Sequence, residues 1–139
     1  MNALLSIKPE YAEKILSGDK EYEFRRRAFR NPSSVDRVIM YASSPIQRII
    51  GFFSIADVVE GRPEELWSRF KDVSGITERQ VFMDYFSDKE TGFAIEIAEA
   101  VSLEQPVDPW EHFNEFHPPV SFIYLNGELD FVFNSQPVD

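Results

Sequence analysis

Apolar positions along this chain change period several times, and each change marks an element. "ALLSI" (Ala3 to Ile7) is a short apolar run stopped by Lys8-Pro9, which predicts a strand. Pro9 opens a stretch in which Tyr11, Ile15 and Leu16 share one side at helical spacing. Glu10 and Glu13 lie early in it, Lys14 later, and Gly18 is placed as a left-handed C-terminal cap. After Gly18 the period drops to two. Tyr22, Phe24 and Arg26 then face one way, and Glu21, Glu23, Arg25 and Arg27 the other. One face of that strand is largely aromatic and the other wholly charged.

"NPSS" (Asn31 to Ser34) predicts a turn, and "RVIMYA" (Arg37 to Ala42) a strand. "SSP" breaks the pattern before a long strand, "RIIGFFSIADVVEG" (Arg48 to Gly61), in which Gly51 suggests a bulge or barrel bend. Two helices follow. "RPEELWSRFKD" buries Leu66, Trp67 and Phe70, and "TERQVFMDYF" has Thr77 as the expected N-cap, with Phe82 and Phe86 in the core. "GFAIEIAEAVSL" alternates as a half-buried strand. "EQPVDPWEHF" and "FHPPV" then read as a proline-broken connection. In "FIYLNGELDFVF", Asn126-Gly127 lies between apolar alternations and predicts a hairpin. About six strands and three helices result, with two helices together mid-chain. The expectation is an α+β fold: one domain over residues 1–139, built as a small, mostly antiparallel β-barrel with about three surrounding helices.

Composition narrows the function classes. The chain is 43% hydrophobic and holds 13 Phe, so it can bury a core and is no disordered acidic tail. It has no Cys, which removes disulfides and thiolate chemistry and fits a cytoplasmic setting. Neither a signal peptide nor a membrane span is expected. Charge is uneven. Residues 1–50 hold 9 basic and 6 acidic side chains, a balance of +3, against −13 for the remainder. A chain of net charge −10 does not attract nucleic acid in bulk, so any anionic ligand meets a focused patch.

That patch is "GDKEYEFRRR" (Gly18 to Arg27). Lys20 is a compact charge suited to a phosphate or carbonyl oxygen, and Arg25 is a planar fork for phosphate or a base edge. Glu23, on the same strand face as Arg25, holds that guanidinium or accepts from an amino group. Together they form a donor–acceptor–donor row. A plain salt-bridged edge strand is the alternative for the same residues. No P-loop, dinucleotide fingerprint, HExxH helix or Ser-His-Asp order occurs, and no cofactor is expected. His112 and His117, five apart in a Pro-rich loop, lack the further ligands a metal site needs, so none is assigned.

The pattern Gly18, Lys20, Glu23, Arg25 (G-x-K-x-x-E-x-R) resembles the signature of ASCH (activating signal cointegrator homology) domains, which belong to the PUA-like superfamily of small β-barrels. The resemblance continues through "LLSIKPEYAEKILSG", "VIMYASSP", "IIGFF", "TGFAIEI" and "PPVSFIYL". It implies a cleft beside the first helix and second strand, lined by Lys20, Glu23 and Arg25. It also implies RNA or nucleotide binding linked to transcription or translation. Some small members are amidohydrolases of acylated cytidine that use Lys, Thr and Glu. Lys20 matches the lysine, and Glu23 stands in place of the threonine. Phe52 and Phe53 occupy the region of the second glutamate, with Asp57 and Glu60 as displaced substitutes. Other members are ribonucleases, for which Lys20, Tyr41, Ser43, Ser44 and Ser121 are candidates.

The preferred reading is a module that binds single-stranded RNA or a nucleotide-like ligand through Lys20, Glu23 and Arg25. Ser43, Ser44 and Ser121 lie nearby in it, and Tyr41, Phe122 or Tyr124 supplies a stacking ring. The alternative is a metal-free ribonuclease or hydrolase of modified nucleosides in which Lys20 is the catalytic group. A third reading sets the acidic half, Glu96 to Glu115, against a basic protein partner.

Overall fold

The computed structural model describes residues 1–134. Six strands form one mixed sheet: β1 (Asn2–Ile7), β2 (Tyr22–Arg25), β3 (Val38–Ala42), β4 (Arg48–Gly61), β5 (Gly92–Val107) and β6 (Phe122–Leu125). Their order across the sheet is β2-β5-β4-β3-β1-β6. Only β1 and β3 run parallel; every other neighbouring pair is antiparallel. Register shifts interrupt β3–β4 at Met40/Tyr41 and β4–β5 between Ile49 and Gly51 and between Ser54 and Asp57. Each such bulge adds local bend and twist. With them the two long central strands curl the sheet into a half-barrel.

Three helices complete the α+β fold: α1 (Pro9–Ser17), α2 (Pro63–Phe70) and α3 (Arg79–Tyr85). Pro9 and Pro63 stand at the first turns of their helices, where a missing N–H costs nothing. Gly18 closes α1 at φ 89°, donating its N–H to the Ile15 carbonyl. α1 lays Ala12 and Ile15 against Leu5, Ile7, Val38, Met40, Phe53 and Ile95 on one face of the sheet. The alternate residues Leu4, Ile39, Tyr41, Ile49 and Phe52 pack on the other face with Phe116, Leu129 and Val132. β3 is therefore buried at every position, which suits "VIMYA", a run with no charged side chain. α2 and α3 form a third cluster, Leu66, Phe70, Phe82 and Phe86, over Phe24 and Ala94.

Three expected details give way. The N-cap of α3 is Glu78, not Thr77, and it makes no side-chain cap bond. β5 runs on through Pro106 to Val107 instead of breaking at Leu103, because Val107 still pairs with Ile49 of β4. Asn126-Gly127 makes a turn but no hairpin. β6 pairs with β1, and beyond Gly127 the chain enters a 3-10 turn, Asp130–Asn134. Leu129 and Val132, three apart, are fully buried there, a spacing that suits a helical turn and not a strand.

Candidate ligand-binding cleft

Among the described residues β2 pairs on one side only, with β5, and its other edge looks across the opening of the half-barrel toward β1 and the segment entering β6. Arg25 spans that opening. Its Nη1 donates to the Ser6 carbonyl at the end of β1 (3.3 Å) and to Glu23 Oε2 (3.1 Å), and its Nη2 donates to Ser121 Oγ (3.1 Å). Beside this side chain opens a cleft of about 1210 Å³, walled by β2, α3, the start of α1 and residues 118–123.

Lys20, Glu23 and Arg25 all line the cleft. Lys20 and Glu23 are among its most buried polar groups, 2% and 5% exposed. The loop between α2 and α3 closes over Lys20. The Glu21 N–H donates to Val73 O (2.8 Å), Lys14 Nζ to Gly75 O (2.7 Å) and Lys20 Nζ to Ser74 O (2.5 Å). A Cβ on Gly75, at φ 71°, would sit 2.9 Å from the Lys20 Cβ, so glycine is required for the loop to come this close. Lys20 Nζ also lies 3.6 Å from Glu23 Oε1 and about 5 Å from the ring centroids of Tyr11 (5.2 Å) and Phe24 (5.0 Å). Burial pushes the Lys20 pKa below the ordinary lysine value, with the Glu23 carboxylate opposing the shift. The phenols of Tyr11 and Tyr85 are pushed up, chiefly by burial.

Of the other residues singled out from the sequence, Ser43, Ser121 and Phe122 line the cleft and Ser44 does not; it is exposed in the turn after β3. Tyr41 is not in the cleft either. Strand alternation turns its ring to the opposite face, 1% exposed against Trp110 and Phe116, so it cannot stack on a ligand beside Lys20. Tyr124 is on the rim side of β6, with its hydroxyl accepting from the Arg30 N–H. Phe53 is core, and Asp57 and Glu60 on β4 lie outside the cleft lining. His112 stacks on Phe131 while His117 meets Glu115, and the described residues hold no cluster of metal-binding side chains.

Sequence reasoning missed Ser6, Ser74 and Tyr85. Tyr85 accepts from the Arg26 N–H and, with Val81, presents an exposed apolar edge to the cleft. Its signal was available: Val81 and Tyr85 are four apart and form a stripe about 100° round α3 from Phe82 and Phe86, with the Tyr85 ring 4.8 Å from that of Phe86. An apolar stripe wider than the core needs has something further to face. Ser6 and Ser74 left no signal, since their roles come through backbone carbonyls.

The family model described as the ASCH domain matches residues 5–107. This chain belongs to the ASCH domain family. Among curated proteins it resembles an ASCH domain-containing ribonuclease of Zymomonas mobilis, 34% identical over 132 residues that cover 91% of this chain and 85% of that one. The crystal structure of an ASCH protein from Zymomonas mobilis superposes with TM-score 0.86 at 31% identity, covering 99% of this chain and 98% of its own. The N-terminal domain of Staphylothermus marinus McrB aligns at TM-score 0.59 and 13% identity over 96% of this chain and 92% of that one, a likeness of fold alone. ASCH is a PUA-like domain, and the sheet curled into a half-barrel with three helices matches the fold of its ASCH neighbours.

Proposed function

We propose that this ASCH domain binds single-stranded RNA in the cleft beside β2. One observation carries the reading: six basic side chains (Lys8, Lys20, Arg25, Arg26, Arg27 and Lys89) line the cleft against two acidic ones, Glu23 and Asp84, in a chain of net charge −10. Local cations release counterions from a phosphate backbone, and the acidic remainder repels strands that stray from the cleft. Arg26 is tied to Asp88, which leaves Lys8, Arg27 and Lys89, all exposed, for phosphates at the mouth. The floor and the rings of Phe24, Phe82, Tyr85 and Phe122 suit a base turned out of its strand. A single strand can offer such a base and a duplex cannot. Among the described residues no helix is long and apolar enough to cross a membrane.

The test is a titration of fluorescein-labelled single-stranded RNA, read by anisotropy at low and moderate salt, with wild type and the Lys20→Ala, Arg25→Ala pair. Salt-sensitive binding that the double substitution removes is the expected result. Undetectable binding of every RNA to wild type would refute the reading.

A second reading, cleavage of the bound RNA, is favoured by the relative that is called a ribonuclease and by the buried amine of Lys20. A lysine whose pKa burial lowers holds more free amine near neutrality. It can then take the 2′-hydroxyl proton as that oxygen attacks the adjacent phosphorus, the bond to the 5′-oxygen breaks, and water protonates the leaving oxygen. Denaturing gels of structured and single-stranded RNA, run with and without chelator, separate the readings. Turnover lost in Lys20→Ala favours cleavage, and binding without turnover leaves the cleft a reader.

A further inference from the structure

Hydrogen-bonding capacity left over at the cleft floor has a definite order. We infer that this floor reads the imide edge of uracil, so that the RNA bound in the cleft is selected for uridine. The inference rests on the RNA-binding reading above.

Lys20 carries three N–H donors, of which Ser74 O takes one; Glu23 Oε1, at 3.6 Å, lies beyond ordinary hydrogen-bond reach. Arg25 spends Nη1 on Ser6 and Glu23 and one Nη2 hydrogen on Ser121, which leaves its second Nη2 hydrogen to give. Glu23, as a carboxylate, only accepts, and among the described side chains Arg25 alone donates to it, at 3.1 Å. Spare donors therefore flank a spare acceptor, and all three residues line the cavity. Buried polar groups with unused capacity favour a ligand that fills it and penalise one that opposes it.

A phosphodiester brings acceptors only and would set its oxygens against Glu23, so phosphates belong at the mouth and a base at the floor. Among the RNA bases, uracil presents acceptor, donor, acceptor along its pairing edge: O4, N3–H and O2. Cytosine would turn the N3 lone pair toward the Glu23 carboxylate. Adenine has a donor and an acceptor but no flanking pair of acceptors. Guanine ends in two donors, the second of which meets Arg25 or Lys20. Reading an unstacked base by its pairing edge is the usual route to sequence preference in single-stranded RNA.

Anisotropy titrations of the full chain with labelled uridine, cytidine and adenosine decamers at one salt concentration test this. A further uridine decamer, methylated at N3, keeps the ring and loses the central donor. Uridine is expected to bind at least about fivefold more tightly than cytidine or adenosine, the lower end of discrimination by a matched edge. N3-methylation is expected to erase that preference in wild type, a result that needs no protein variant and so no assumption about folding. In Glu23→Gln the side-chain amide can donate to cytosine N3, and the uridine-to-cytidine ratio is expected to fall toward one. Equal binding of all decamers, or indifference to N3-methylation, overturns the inference and leaves RNA binding intact. No binding of any decamer overturns the reading beneath it.

Discussion

Glu23 is the one acidic member of a buried cluster whose two bases have little water to turn to. In Glu23→Ala, Lys20 Nζ loses a carboxylate oxygen at 3.6 Å and Arg25 loses one at 3.1 Å. With an effective dielectric of about 20, an attraction over 3.6 Å is worth about 4–5 kcal/mol. Neither partner is exposed enough for solvent to screen much of it (side chains 1% and 6% exposed). Breaking a buried pair from one side ordinarily costs about 3–5 kcal/mol, in agreement. Lys20 has an escape, which is to lose its proton. Forcing that on a lysine of ordinary pKa at pH 7 costs about 5 kcal/mol, so the Lys20 share of the penalty is capped near that value, and the cap falls by about 1.4 kcal/mol for each pH unit gained. The folded-state pKa of Lys20 lies below its unfolded value, so between the two the unfolded chain binds more protons and stability rises with pH. Urea denaturation of wild type, Glu23→Ala, Lys20→Met and the double variant at about pH 7, 8 and 9 measures this. At neutral pH, Glu23→Ala should lose about 3–5 kcal/mol. The deficit should shrink as pH rises, and the double variant should recover part of it. A deficit under about 1 kcal/mol, the range of an exposed pair, would refute the reasoning. So would one that stays constant with pH.

Other expectations follow from single contacts. Gly51→Ala would place a Cβ 2.6 Å from the Val101 carbonyl and 2.8 Å from Leu16, so it should cost about 1–3 kcal/mol by thermal melting as overpacking does. Gly18→Ala meets nothing within 4 Å and should cost only its left-handed backbone, about 1–2 kcal/mol. Leu129→Ala empties a fully buried site and should cost about 2–5 kcal/mol; a surface-like loss would mean that the turn after β6 lies outside the core. Neutralising Lys8, Arg27 or Lys89 should each lower the slope of log affinity against log salt by about 0.7 for a single strand, with little change in base preference. An unchanged slope would remove that side chain from the phosphate path.

Much of the scaffold was legible because it is governed by neighbours in sequence. Pro9 and Gly18 bound α1, the run "VIMYA" is buried on both faces, and the long strand after Arg48 shows by period alone. Where the reading failed, distant partners intervened. β5 continues past Leu103 because β4 offers it an edge, and the hairpin after Asn126 is lost because β6 had already found β1. Within the site, Glu23 and Arg25 were visible as alternation on β2, but Lys20 lies ahead of that strand and Tyr41 was assigned to the wrong face. Alternation within β3 separates Met40 from Tyr41 without saying which of them looks toward β2's cleft.

Sequence by itself determined that two bases and an acid follow closely on a glycine-capped helix, and that the chain carries the ASCH pattern; both are local facts of order and spacing. Only the tertiary structure decided that these three side chains are dry. The α2–α3 loop folds its carbonyls onto Lys20, and β1 with the segment before β6 gathers Arg25 across the open edge of the half-barrel. Burial arises from segments far apart in the chain, and it is burial that turns a charged strand face into a site with hydrogen bonds to give.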